Sequence, residues 1–194
     1  MDAFILVMFL MMISASTAAV VCPPDDTYSP CTCYEYTNIP DTIYLYCGNN
    51  GLDDLKVSQI LDVFLTTPGV STLGNLCLFG NRLTRVPDQV HLFPKLDYVW
   101  LEENNISSSI QSKAFVFNKE TPLRNLDLQH NQLITIAPGA IQGVGYSDSS
   151  TIALTHNNLT RFESTVFQSV LEKMVPTSPY PGAYIHIYNS KLCY

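Results

Sequence analysis

Six cysteines, four histidines and a set of carboxylates are the side chains of this 194-residue sequence that could do chemistry. His130 and His156 each precede an asparagine, 26 residues apart, and two imidazoles can begin a metal site. No carboxylate or third histidine stands in phase with them, so a solvated pair is the plainer reading. Asp97, Glu102 and Glu103 could act as paired carboxylates, but they fall on what reads as an open strand surface with no pocket to raise a pKa. Serines are numerous, yet no G-x-S-x-G elbow or other nucleophile signature occurs. The sequence offers no catalytic residue, no cofactor-binding motif and no metal-ligand set, and it argues for binding rather than catalysis.

Cys22, Cys31, Cys33 and Cys47 form C-x8-C-x-C-x13-C near the N-terminus. They read as two disulfides, in any of three pairings, or as a zinc site. No histidine lies near them, and the segment ahead of them points to an oxidising compartment. Phe4–Ile13 is an apolar stretch of ten residues, too short to span a bilayer comfortably. Small residues follow from Ser14 to Ala19, with Thr17 and Ala19 at the positions a signal peptidase requires. Residues 1–19 therefore read as a signal peptide. Asp2, and the lack of a basic residue before the stretch, leave an uncleaved anchor as the alternative. No second apolar span and no C-terminal lipid-anchor tail follow, so the expected product is secreted, with no membrane span in the mature chain. Net charge is −7 without a run of Lys or Arg, which argues against a nucleic-acid partner.

The elements that must position these residues are written in a repeat. L-x-x-L-x-L-x-x-N-x-L occurs at Leu73–Leu83, Leu96–Ile106 and Leu123–Leu133, and a fourth copy, Ser149–Leu159, loses only its first apolar residue. Asn81, Asn104, Asn131 and Asn157 are spaced by 23, 27 and 26 residues. The fourth and sixth positions lie two apart on one face of a short strand, which gives the inward pairs Leu76/Leu78, Val99/Leu101, Leu126/Leu128 and Ile152/Leu154. Stacked asparagine amides can bond the backbone of neighbouring turns. Val86 and Phe93, Phe115 and Phe117, Ile136 and Ile141, and Phe162 and Phe167 supply core contacts on the back of the repeats. No unit buries its apolar face alone, so the units must stack.

This pattern resembles the leucine-rich repeat. The resemblance implies an α/β solenoid, a horseshoe with one short parallel strand per repeat and irregular or helical convex segments. The cysteine cluster resembles the N-terminal cap of extracellular members, with a longer first gap, and that resemblance implies the pairs Cys22–Cys33 and Cys31–Cys47. The expected layout is a signal peptide over 1–19, a disulfide cap over 20–50, repeats over 51–175, and a last strand with a degenerate C-terminal cap over 176–194. Within it, a cap strand is expected around Ile43–Cys47, a short helix within Leu52–Thr67 carried by Leu55, Ile60, Leu61, Phe64 and Leu65, and a loop over Pro176–Gly182. Ile185, Ile187 and Leu192 place a fifth strand near the C-terminus. Cys77, between Leu76 and Leu78, is expected to point outward, and Cys193 is left free or paired between chains.

Alternation then sorts the binding residues. The second, third, fifth, seventh and eighth positions face away from the core and line the concave sheet. The expected partner-binding set is Tyr44 and Tyr46 from the cap strand, Phe79 from the first repeat, and Asp97, Tyr98, Trp100, Glu102 and Glu103 from the second. Asp127, Gln129 and His130 follow from the third, His156 from the fourth, and Tyr188 from the last strand. Outward aromatics anchor interfaces, and the acids beside them favour a partner with basic groups. The sequons at Asn105 and Asn158 directly follow ladder asparagines and are expected to carry glycans. These features read as a secreted, non-enzymatic binding protein whose concave face holds a secreted or cell-surface protein. An immune or adhesion protein that recognises microbial or cell-surface ligands is the second reading. The cap, the irregular repeats and the tyrosine-rich strands are also similar to a group of arthropod secreted repeat proteins that includes the non-catalytic subunit of a shrimp luciferase. That resemblance implies a third reading, an accessory subunit of a secreted oxygenase.

Overall fold

A computed structural model of the chain describes residues 22–36, 42–67, 73–107, 109–116, 123–142, 150–161, 163, 165–171 and 184–188. The leader over 1–19, Phe117, Phe162, the loop over 176–182, Leu192 and Cys193 lie outside these residues.

Each repeat contributes one strand to a seven-stranded sheet. β1 (Thr32–Glu35) runs antiparallel to β2 (Ile43–Tyr46), and from β2 the sheet continues in parallel through β3 (Leu73–Cys77), β4 (Tyr98–Trp100), β6 (Asn125–Asp127), β8 (Thr151–Ala153) and β9 (Tyr184–His186). The register keeps repeat positions side by side: Leu45, Leu76, Val99, Leu126, Ile152 and Ile185 form one row across six strands. All but Ile185 are wholly buried, and Ile185 and Ile187 pack half-buried at the last edge. The inward pairs read from the motif therefore make the core, in a solenoid-like stack.

The asparagines tie the turns together. Asn104 donates its amide to the carbonyls of Leu78 (3.0 Å), Leu101 (3.1 Å) and Glu102 (3.2 Å) and accepts from the Leu83 N–H (3.0 Å). Asn81, Asn131 and Asn157 repeat this pattern on their own and the preceding turn. One buried side chain thus satisfies backbone groups of two repeats at once. One position earlier the chain always turns left-handed. Asn49, Gly80, Glu103, His130 and His156 have φ of 57°, 65°, 54°, 51° and 55°. The eighth residue of each unit is fixed by this turn, so both histidines sit at backbone corners.

The back of the sheet varies. Behind the cap lies α1 (Asp54–Thr66), capped at its start by Asp53, whose carboxylate accepts from the Lys56 N–H at 2.8 Å. Its buried stripe is Val57, Ile60, Leu61 and Phe64, so Leu55, expected in that stripe, is instead 68% exposed. The buried face follows the i, i+3, i+4, i+7 spacing of Val57, Ile60, Leu61 and Phe64, and Leu55, though within the helix, lies off it. A 3-10 turn (Asp88–Leu92) follows, then the short parallel pair β5 (Phe115–Val116) and β7 (Ile141–Gln142), then α2 (Thr165–Leu171). Phe93, Phe115, Ile136, Ile141 and Phe167 are buried as expected, with Val86 half-buried. The cap is closed by Cys22–Cys33 and Cys31–Cys47, the pairing implied by the resemblance.

Cys77 departs from expectation. Alternation turns it away from the core, yet it is a buried free thiol, 3% exposed. β3 presents only small side chains on this face, Asn75 and Cys77. Tyr44 from β2 is hydrogen-bonded to the thiol, Trp100 stands beside it in register on β4, and the two rings are 6.1 Å apart.

Candidate functional site

The open face of the sheet divides into an aromatic half and a polar half. In the aromatic half, Tyr44 packs against Tyr34 (5.8 Å), Tyr36 (6.4 Å) and Tyr46 (6.1 Å), and Tyr46 meets Phe79 edge-on at 6.0 Å. Phe79 reaches that place because the neighbouring repeat holds Gly48, where a Cβ would stand 2.3 Å from the ring. Tyr98 and Trp100 stack at 5.4 Å and 14°. The result is a continuous aromatic surface across β1–β4, of the residue types that dominate interface energetics.

Polar groups close this surface on the β6 side. Arg124 pairs with both oxygens of Asp97 and lies over the Tyr98 ring at 5.3 Å. The Asp97 carboxylate holds the guanidinium firmly charged. Gln129 donates to both Asp127 oxygens (3.1 and 2.9 Å) and accepts from the Thr155 hydroxyl at 2.6 Å. Asn75 donates to the Tyr36 hydroxyl at 2.6 Å.

Glu102 stands between these halves and is exceptional. Its Oε2 is shut off from solvent without a hydrogen-bond partner among the described residues, as is Oδ1 of Asn125. Burial raises its pKa to about 7, helped by the charges of Asp127 and Glu103. Burial thus raises a carboxylate pKa on a face expected to lack a pocket for it. Burial also pushes up the Cys77 thiol and the Tyr44 phenol.

At the far end His130 and His156 stack face to face at 4.2 Å and 9°, with Tyr188 edge-on to His156 at 6.3 Å. Tyr184, His186 and Tyr188 continue the row of rings along the last strand. Among the described residues no three His, Cys, Asp or Glu side chains converge as a metal site would need.

Residues 122–144 match the family model described as Leucine Rich Repeat. The chain carries leucine-rich repeats. Over 121 residues, 61% of this chain, it is 31% identical to Tsukushi of Xenopus tropicalis. The chain spans about a third of that relative's length, 32%. No helix among the described residues is long and apolar enough to cross a membrane.

In leucine-rich repeat terms, the structure puts the residues singled out in the sequence on one sheet face but not in one cluster. Tyr44, Tyr46, Phe79, Tyr98 and Trp100 form the aromatic half, and Asp127 and Gln129 join the polar network. Asp97 is engaged by Arg124, and Glu103 lies exposed at a turn corner. His130, His156 and Tyr188 belong to a separate patch. The sequence reading missed Tyr34 and Tyr36, whose strand precedes the repeats and carries no motif. Arg124 was expected on the outward face but not as the partner of Asp97, although the two share the second position of adjacent repeats, a signal that predicts their pairing. The sequon residue Asn105 is exposed and Asn158 half-buried.

Proposed function

We propose that this chain is a secreted, non-enzymatic leucine-rich repeat protein that docks a protein partner on the open, concave face of its sheet. The observation that carries the reading is the aromatic surface built by Tyr34, Tyr36, Tyr44, Tyr46, Phe79, Tyr98 and Trp100. Packed rings with polar tips, rimmed by an ion pair, suit a desolvated contact centre with a polar edge. Two disulfides in the cap support an oxidising, extracellular destination. The layout that goes with this reading is a cleaved leader over 1–19, a cap over 20–50, repeats over 51–175 and a last strand region over 176–194, with glycans on Asn105 and Asn158. Both sequons lie past the strand ends, so glycans there would leave the aromatic surface clear.

The full chain, immobilised and exposed to native extracellular fluid, tests the reading, with captured proteins identified by mass spectrometry. A specific companion is expected, and Trp100→Ala and Tyr98→Ala should each weaken its capture by about tenfold or more. Undiminished capture by both variants would remove the partner from this face. A constant enzyme companion would make the chain an accessory subunit, and capture of microbial surfaces a recognition protein.

A further inference from the structure

The face already holds one guanidinium. Arg124 lies on the Tyr98 ring and is neutralised by the Asp97 carboxylate, so ring, cation and anion complete one another. Beside it stands a second ring-and-carboxylate set with no cation paired to it among the described residues. Trp100 and Glu102 occupy the same face two residues apart on one strand, and Phe79 holds the same repeat position as Glu102 on the neighbouring strand. Glu102 Oε2 is buried without a partner among the described residues, a state uncommon in folded proteins.

Two donors on the β6 side of the face are already engaged. Arg124 is bound to Asp97, and the Gln129 amide gives its hydrogens to Asp127 while its oxygen takes the Thr155 hydroxyl. The groups that face Glu102 from adjoining elements, Cys77 on β3, Asp127 on β6 and Glu103 beside it, include no cation. The whole chain carries −7, so its long-range field also favours a positive visitor.

We propose that Glu102, with Phe79 and Trp100, is the seat for a basic side chain of the protein partner, an arginine above all. This rests on the reading that the open face docks a protein. A guanidinium would lay its plane on Trp100 as Arg124 lies on Tyr98, and bring its charge beside the Glu102 carboxylate. Its arrival draws Glu102 into the charged form and relieves the crowding by Asp127 and Glu103.

Trp100 is the single tryptophan of the chain, so its fluorescence reports the seat directly. The full chain is titrated at pH 8 and constant ionic strength with N-acetyl-arginine methylamide and with N-acetyl-citrulline methylamide, its neutral isostere. The arginine probe is expected to saturate, at about tenfold lower concentration than the citrulline probe. Glu102→Gln should erase that preference while its thermal unfolding shows the fold intact. Equal response to the two probes, no saturation by arginine, or a preference that survives in Glu102→Gln overturns the proposal. Failure of the docking reading looks different: partner capture then survives in Trp100→Ala, whatever the arginine probe does.

Discussion

The two faces of one sheet treat their buried polar groups in opposite ways. On the turn side, each ladder asparagine is buried and makes hydrogen bonds to its own and the preceding turn. On the open side, Glu102 and Asn125 bury oxygens with no partner among the described residues. The strands, register and spacing are shared, so the difference does not come from the fold. It comes from the side chains: the motif supplies one amide per repeat to the turns, whereas the open face changes residue type from strand to strand.

Breaking the ladder should have the largest effect. Asn131→Ala leaves the Leu101 and Leu128 carbonyls and the Ile106 N–H without their partner, at a cost of about 3 kcal/mol in chemical denaturation. Loss of less than about 1 kcal/mol would mean that water replaces the amide and that the contrast between the faces is false. The open face should respond in accessibility before stability. Trp100→Ala removes the ring beside Cys77 on the neighbouring strand, so alkylation of the thiol by a small reagent should accelerate on the order of tenfold. An unchanged rate would show that Tyr44 alone shields the thiol.

The smallest effect is electrostatic. The folded chain holds the Glu102 proton more tightly than the unfolded chain, since its pKa rises from the ordinary 4.5 to about 7. As pH rises through that window the unfolded state releases its proton first, so stability falls between pH 4.5 and about 7 and then levels off. Screening of a half-exposed group reduces the loss to about 1 kcal/mol. Glu102→Gln should remove this slope, read as the difference in urea midpoints between variant and parent at pH 5 and pH 8 (both within the proteins' ordinary buffer range). A parallel slope in the variant would place the titration elsewhere.

Much of this was legible in the residues. The motif located the ladder, the inward pairs and the outward rows, because a strand of period two leaves no choice once one position is fixed. The cap pairing followed from resemblance, and the helix behind it from its apolar stripe, although Leu55 and Val57 exchanged roles at its first turn. What stayed hidden depends on the side chains of neighbouring strands. Cys77 is buried beside Tyr44 and Trp100 of the two neighbouring strands although it faces away from the core, and Glu102 is desolvated and crowded by the charge of Asp127 on the next strand. Each is a property of three strands together, and a motif read one repeat at a time does not contain it. The Asp97–Arg124 pair was there to be found by comparing equal positions across repeats.

The asparagine ladder also has a mechanical consequence. Every clasp joins one turn only to the turn before it, so tension applied through the two ends does not load the ladder all at once. The last strand carries the force first, and the chain should peel in discrete steps from that end, each step opening one clasp and one row of strand bonds. Peeling stops at β2, where Cys31–Cys47 and Cys22–Cys33 fasten the cap covalently. Under load the molecule would behave as a zipper with a riveted end, and the aromatic surface next to that end would be the last part to let go.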